Sequence, residues 1–355
     1  MTATSLAERL VDVCAHVCLT GEEAPLTDEL QRHYASSPTV RVGNSLVVGE
    51  PDGRPLTLLV GHLDVVPIHN PDDGQPRIAA RGGGVAVIGR GTSDMKSGVV
   101  VAQALFEDET LRASSPYALA LVLYAGEEGS AESNELGSVL DQVPWLREAQ
   151  LAVVLEPTDL EVQLGCLGGL HAELTFLGRP AHSARPWQGE NAVAKGWDVV
   201  RQLNERAPAE VVIDGITYHD VVSVTQMWTR NARNIIPGMF KANVNYRFAP
   251  DRTIEQAEAE LRSWIGDRAE VQIVDAAPPA PPRRDAPLVA ALIESLGAPV
   301  TGKQAWTDVA RFAEIGVPAL NYGPGLTSQA HQAGEYVPVA NLDAAYGALR
   351  AFLAG

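Results

Sequence analysis

Apolar residues recur every three or four positions over residues 5–18, where Leu6, Leu10, Val11, Cys14 and Val17 share one face. That spacing predicts an amphipathic first helix. A Thr-Gly-Glu-Glu-Ala-Pro turn follows, then a second helical stretch over 25–34. From Val40 the period shortens to that of a strand. Residues 44–49 read as one strand, and 56–62 form a short, almost continuously apolar run, as expected of a strand covered on both faces. Residues 97–106 read as a helix, and 118–124 and 151–156 repeat the buried-strand signature. Buried strands alternating with helices predict an α/β sheet.

The pattern changes after Gly165-Cys-Leu-Gly-Gly. Residues 170–178 alternate like a half-exposed strand, 191–205 read as a helix, and two or three strands fall between 211 and 248. A helix over 253–266 and a strand over 271–274 complete the order strand-helix-strand-strand-helix-strand, the ferredoxin-like split βαβ arrangement. Ala276-Ala-Pro-Pro-Ala-Pro-Pro reads as a stiff linker that cannot enter a sheet. A helix near 287–295 and a strand around 317–322 predict a return to the first region. The expected organisation is an α/β domain built from residues 1–168 and 283–355, with a smaller α+β domain, 169–282, inserted in it.

Composition narrows the functional class. A chain of 355 residues with 46% hydrophobic and 20% charged residues suits a soluble globular protein of two domains. It contains no apolar run of the roughly eighteen residues that a membrane helix needs. The first twenty residues mix acidic and basic side chains and lack a secretory pattern, which predicts a cytoplasmic protein. Lysine and arginine number 27 against 44 aspartates and glutamates, a formal charge of 27 − 44 = −17. Such a surface repels phosphate backbones and anionic lipid, so neither nucleic acid nor membrane is expected as a partner. An acidic substrate would then need a local cationic pocket. The cysteines, Cys14, Cys18 and Cys166, are odd in number and read as reduced, core-packing thiols.

The chemistry-bearing residues fall at the ends of the apolar runs. His62 closes the run 56–62, and Asp64 lies two residues on, where an extended backbone returns a side chain to the same face and could hold the imidazole. Asp94 sits in Gly-Arg-Gly-Thr-Ser-Asp-Met-Lys-Ser-Gly (89–98), as a ligand or as the N-cap of the following helix. Glu127 and Glu128 follow the run 118–124, either sharing a cation or lying in a solvated loop. Glu156 ends the run 151–155, a costly place for a carboxylate unless it is paired or ligated. His331 follows the Gly-rich stretch 321–330. Convergence at the carboxyl ends of the strands is the pattern by which an α/β sheet builds a site.

Gly-His-Leu-Asp-Val-Val-Pro, the Asp94 segment, Gly-Glu-Glu, Leu-Glu-Pro and the late His331 match, in order, the metal-site motifs of the M20 metallopeptidase/deacylase family, which the chain resembles over nearly its whole length. The segments Ala-His-Ser-Ala-Arg-Pro-Trp-Gln-Gly-Glu-Asn-Ala (181–192), Tyr-Arg-Phe-Ala-Pro-Asp (246–251) and Trp-Thr-Asp-Val-Ala-Arg-Phe (306–312) look most like those of its actinobacterial-type succinyl-diaminopimelate desuccinylases. The resemblance implies a zinc-peptidase-like catalytic domain with a mixed central sheet and an inserted ferredoxin-like domain through which a homodimer forms. It implies two zinc ions per subunit, replaceable by cobalt. Asp94 would bridge them, with His62 and Glu156 completing one site and Glu128 and His331 the other. Glu127 would be the general acid/base and Asp64 the partner of His62.

The same resemblance makes His182 an oxyanion donor that reaches the active site of the other subunit. Arg247, Asn234, Thr307 and Gly323 fall at substrate-binding positions, with Arg185 a further candidate. A bidentate arginine is a natural clamp for a succinyl carboxylate. The implied reaction is hydrolysis of N-succinyl-LL-2,6-diaminopimelate, a small N-acyl amino acid, in lysine and diaminopimelate biosynthesis. The alternatives are another deacylase of the family, acting on acetylornithine, a carboxypeptidase, or a non-catalytic binding relative. One departure is plain: many desuccinylases carry Arg-Arg-Gly-Ser-Leu at the first domain crossing, where this chain has Gly165-Cys-Leu-Gly-Gly-Leu. The remaining histidines, His16, His33, His69, His171 and His219, match no motif and are expected to be structural or on the surface.

Overall fold

The computed structural model describes residues 5–68, 70–130 and 132–355. The chain divides into two compact units, one of Met1–Leu164, Arg283–Thr301 and Arg311–Gly355, the other of Gly165–Pro282 and Gly302–Ala310. Among the described residues no helix is long and apolar enough to cross a membrane.

The first unit is built on a mixed sheet with the strand order Thr39–Val42, Ser45–Val48, Ala118–Tyr124, Leu56–His62, Leu151–Val154, Ala319–Asn321, Val162–Leu164 and Val300–Gly302. The four strands from Ala118–Tyr124 to Ala319–Asn321 run parallel, His62 pairing with Tyr124 and Val60 with Val154. Every residue of the Ala118–Tyr124 and Leu56–His62 strands is buried, as their unbroken apolar runs require. The helix Lys96–Glu107 is buried along most of its length and packs on Leu56–His62. It contains Val99, Val100 and Val101, β-branched residues of modest helix propensity, all fully buried. Burial against the sheet, not propensity, holds this helix in place. Its close approach depends on Gly98, where a Cβ would come within 2.2 Å of the Leu155 carbonyl oxygen.

Two features of this unit were not anticipated from the pattern. One is a small sheet of Arg77–Arg81, Gly84–Ile88 and Tyr336–Pro338; the other is the closing helix Val339–Ala354. The strand Leu151–Val154 also stops two residues before Glu156, so that carboxylate lies in the turn beyond it.

The second unit holds a five-stranded antiparallel sheet in the order Ala209–Ile213, Ile216–Trp228, Met239–Phe248, Gly168–Leu177 and Glu270–Ala277. Helices Ala192–Asn204 and Ile254–Ile265 pack on it through a core that includes Leu170, Phe176, Val199, Phe240, Val244 and Leu261. The chain order is the ferredoxin-like one, with one extra strand at an edge. The alternation expected over 170–178 is present, even-numbered residues from Leu170 to Phe176 facing the core. One expectation is corrected. The last strand continues through Ala276 and Ala277, and Ala280 forms a bridge with Cys166, so the Pro/Ala run is partly paired. Alanine between prolines keeps an N–H, and Ala280 uses it to donate to the Cys166 carbonyl at 3.2 Å.

Gly98→Ala is expected to lower unfolding free energy by about 1–3 kcal/mol, the usual cost of overpacking a core. Gly347→Ala, at an open position in the helix Val339–Ala354, should stabilise by up to about 1 kcal/mol. Urea titrations of both variants check this, and equal shifts in the same direction would refute the packing argument.

Candidate active site

Because the four central strands run parallel, their carboxyl ends lie at one edge of the sheet. His62 is the last residue of one strand, Glu127 and Glu128 follow Tyr124 of its neighbour, and Glu156 follows Val154 of the other neighbour. Asp94 comes from the loop before the helix Lys96–Glu107. It is not the cap of that helix: the capping position is Met95, whose side chain makes no cap bond.

These side chains converge. Ligand atoms of His62, Asp94 and Glu156 lie within 4.8 Å of one another, as do those of His62, Glu127 and Glu128, and those of Asp94, Glu128 and His331. Asp94 turns one oxygen to each histidine, Oδ1 lying 3.4 Å from His62 Nε2 and Oδ2 3.5 Å from His331 Nε2. His331 Nε2 is also 2.9 Å from Glu128 Oε2. His331 adopts a φ of +61°, a left-handed backbone unusual for a residue with a Cβ.

Asp64 organises the group without joining it. It is fully buried, and it accepts hydrogen bonds from Thr20 Oγ1 at 2.8 Å, Glu127 N at 3.1 Å and Glu128 N at 3.0 Å. The expected contact with His62 takes a form that alternation alone does not give, since the strand has ended. Nδ1 of His62 lies 3.0 Å from the Asp64 carbonyl oxygen and 3.5 Å from Oδ1. Burial alone would raise the Asp64 carboxyl, but His62 and the Thr20 and Glu128 donors hold it down to about 2. Burial works against the His62 cation, yet Asp64, Asp94 and Glu127 raise its pKa well above the ordinary value. Glu128 raises that of His331.

Glu335 was not singled out from the sequence. It is completely buried, with its carboxylate turned to the backbone of the Asp94 loop, and burial pushes its pKa up to about 7. The only signal for it was a lone carboxylate at the start of an apolar run, Tyr336-Val-Pro-Val. Thr20, which holds Asp64, left no signal at all. Gly323 sits where a Cβ would come within 2.4 Å of the Leu155 and Glu156 carbonyl oxygens, so its lack of a side chain serves the packing of the turn that carries Glu156.

In the second unit the expected substrate residues form two groups. His182 pairs with Ile235, Ser183 N donates to the Asn234 carbonyl at 2.8 Å, and Arg185 N donates to the His182 carbonyl at 2.8 Å. All three named side chains, those of His182, Asn234 and Arg185, are exposed. Arg247 lies at the other end of the Met239–Phe248 strand, opposite Gly169, where a Cβ would meet its Nη1 at 2.9 Å. Thr307 is buried near Cys166, its Oγ1 without a hydrogen-bond partner. Arg247 lies eight positions along the strand from Met239, roughly 25 Å away, and the His182 group is tied to the segment before that strand, which keeps the two groups apart in one chain. Of the unmatched histidines, His16 pairs with Glu29, His33 with Glu107 and His219 with Glu210, and His171 contacts Asn243 and Asn245. His69 lies outside the described residues.

The donor set fits divalent metal. Imidazole and carboxylate suit ions such as zinc, and His62 Nε2 is buried without a hydrogen bond of proper geometry, aimed at Asp94 and Glu127. Several carboxylates so close together repel unless cations lie among them.

Comparison with known proteins agrees with this geometry. The model of peptidase family M20/M25/M40 matches residues 58–355. A Mycobacterium tuberculosis protein provisionally named succinyl-diaminopimelate desuccinylase DapE is 36% identical over 99% of this chain and 97% of its own. The Corynebacterium glutamicum succinyl-diaminopimelate desuccinylase is 32% identical over 98% and 95%. In fold the chain resembles the aminopeptidase PepT of Bacillus cereus, with a TM-score of 0.76 at 14% identity over 98% of this chain and 97% of that one. A ligand cluster at the edge of a parallel sheet and a match through most of the chain lead to one conclusion: this protein belongs to peptidase family M20/M25/M40.

Proposed function

We propose that the protein is a di-zinc desuccinylase that hydrolyses N-succinyl-LL-2,6-diaminopimelate to succinate and LL-2,6-diaminopimelate. The observation that carries this reading is the convergence of His62, Asp94, Glu127, Glu128, Glu156 and His331 in a chain similar to desuccinylases from end to end. Asp94 would be the shared ligand, with His62 and Glu156 completing one zinc site and Glu128 and His331 the other. Cobalt can replace zinc in a nitrogen–oxygen ligand set of this kind.

Bound divalent ions would polarise the scissile carbonyl and make water acidic enough to attack it near neutral pH. Glu127 takes the proton that water loses as its oxygen adds to the carbonyl carbon. The carboxyl group then returns that proton to the amide nitrogen as the C–N bond breaks, so the amine departs neutral and the succinyl product keeps the second water proton as a carboxylic acid, which then ionises. Asp64 fixes where Glu127 can act, because it binds the Glu127 backbone N–H. Arg247 and Thr307 hold a substrate carboxylate, with the Gly323 loop as a further contact and Asn234 and Arg185 arriving with His182 from the other subunit. Burial lowers the Arg247 pKa, and a bound carboxylate would repay that loss of solvation.

His182 donates to the developing oxyanion. Its Nδ1 accepts from Ala184 N at 3.1 Å, which places the ring proton on Nε2, the outward nitrogen. The separation between the His182 group and Arg247 supports a homodimer built through the second unit, each subunit lending His182 to the other. A cytoplasmic setting is supported by three buried, unpaired cysteines.

Purified protein is expected to hold about two zinc ions per chain and to turn over succinyl-diaminopimelate in preference to acetylornithine or a dipeptide. Glu127→Ala should keep the metal and lose about 10²–10⁴-fold in kcat, the usual worth of a general acid/base. Metal bound with acetylornithine preferred would overturn the substrate and keep the site; absence of metal would overturn both. Sedimentation of the active enzyme should show a dimer, and mixing His182→Ala with Glu127→Ala subunits should restore part of the activity. Full activity from a monomer would refute the shared site.

A further inference from the structure

The Glu335 carboxylate accepts four hydrogen bonds, and all of them come from the loop that carries Asp94. Oε1 accepts from Ser93 N at 2.7 Å and Asp94 N at 2.9 Å; Oε2 accepts from Gly91 N at 3.0 Å and Arg90 Nη1 at 2.8 Å. The Glu335 carbonyl adds a bond from Gly89 N at 2.9 Å. Glu335 is fully buried and Arg90 is 3% exposed, so each removes the other's charge from an otherwise costly setting. The amides reach one carboxylate only because the loop curls back through Gly89 and Gly91, both at positive φ.

The same contacts tie this loop to the segment bearing His331. Glu335 lies four residues beyond His331. Ser93 Oγ donates to the Tyr336 carbonyl at 2.9 Å and accepts from Leu326 N at 3.0 Å. Asp73 accepts from Gly334 N at 2.9 Å through Oδ1 and from Arg90 N at 2.8 Å through its carbonyl. The two loops that meet at Asp94 and His331 are therefore shaped on one another, with the Glu335 carboxylate at the junction.

We propose that Glu335 is a positioning residue for the metal centre: its carboxylate is the template on which the turn 90–94 sets Asp94 against His62 and His331. Resting on the metal-site reading above, the proposal adds a group that neither binds metal nor touches substrate. Glutamine in its place keeps the shape but offers one acceptor oxygen, and its amide NH2 faces a backbone N–H. Aspartate keeps the charge and falls one methylene short of the turn.

Cobalt binding tests this directly. Wild type, Glu335→Gln, Glu335→Asp and Asp94→Ala are titrated with Co2+ against a chromophoric chelator, the visible absorption of bound Co2+ is recorded, and thermal melts confirm folding. Glu335→Gln is expected to stay folded, to lose about 10–100-fold in Co2+ affinity, as when a partner of a metal ligand is removed, and to show a changed absorption spectrum. Glu335→Asp should fall between it and wild type. Loaded at saturating metal, Glu335→Gln should turn over more slowly with KM little changed. A wild-type affinity and spectrum in both variants would overturn the proposal. Failure of both variants to fold would make Glu335 a folding determinant and overturn it equally. If wild type binds no Co2+, or Asp94→Ala binds it as tightly as wild type, it is the metal-site reading that fails, and this proposal with it.

Discussion

Like charges repel strongly where water is scarce, and the first unit is arranged around that repulsion. Asp94, Glu127, Glu128 and Glu156 converge on two histidines at the edge of a sheet whose strands are otherwise apolar. Without cations among them, such carboxylates would be pushed apart or would take up protons. The raised pKa of His62 has the same origin, since Asp64, Asp94 and Glu127 all favour positive charge at that point. The rigid frame that keeps the group together is the parallel sheet, closely backed by the helix Lys96–Glu107 through Gly98.

Much of this frame was legible in the sequence because its signals are local. Continuous apolar runs gave the central strands at 118–124 and 56–62, and each ended on a candidate ligand within a few residues. The alternation over 170–178 gave the half-covered sheet of the second unit. What was missed depends on distant partners. Tyr336–Pro338 is a three-residue strand that makes sense only beside Gly84–Ile88, more than two hundred positions earlier. Asp64 stands beside His62, with the shorter contact running to its carbonyl oxygen and the longer one to its carboxylate. Glu335 left only a faint trace, because an isolated glutamate at the start of an apolar run carries no period.

The second unit carries a constraint of a different kind. His182 pairs with Ile235, in the segment that precedes the Met239–Phe248 strand, whereas Arg247 lies near the far end of that strand, and a rigid antiparallel sheet keeps its two ends apart. A shared substrate can meet both only if they come from different chains, or if one of them has another task. The sheet thus turns a question about two residues into a question about assembly. The missing arginines at the Gly165–Leu170 crossing gain meaning in the same setting. Gly169 leaves the room that Arg247 occupies, so a bulkier residue there would have to displace that guanidinium.

Asp64 and Glu335 flank the candidate ligand cluster from two sides in the same manner. Each is a fully buried carboxylate, and each accepts from backbone amides of residues that include a candidate ligand: Glu127 and Glu128 for Asp64, Asp94 for Glu335. A carboxylate suits this task because it offers several acceptor sites and no donor while ionised, so it can gather neighbouring N–H groups that have no partner within a turn. Their pKa values move in opposite directions, down to about 2 for Asp64 beside an imidazole and up to about 7 for Glu335, where burial prevails. Turn geometry is therefore fixed by anions on two sides of the cluster, and the side chains between them add further negative charge. A cationic occupant relieves that accumulation while leaving both turns in place, so the backbone around the cluster, as much as the candidate ligands themselves, suits a metal ion.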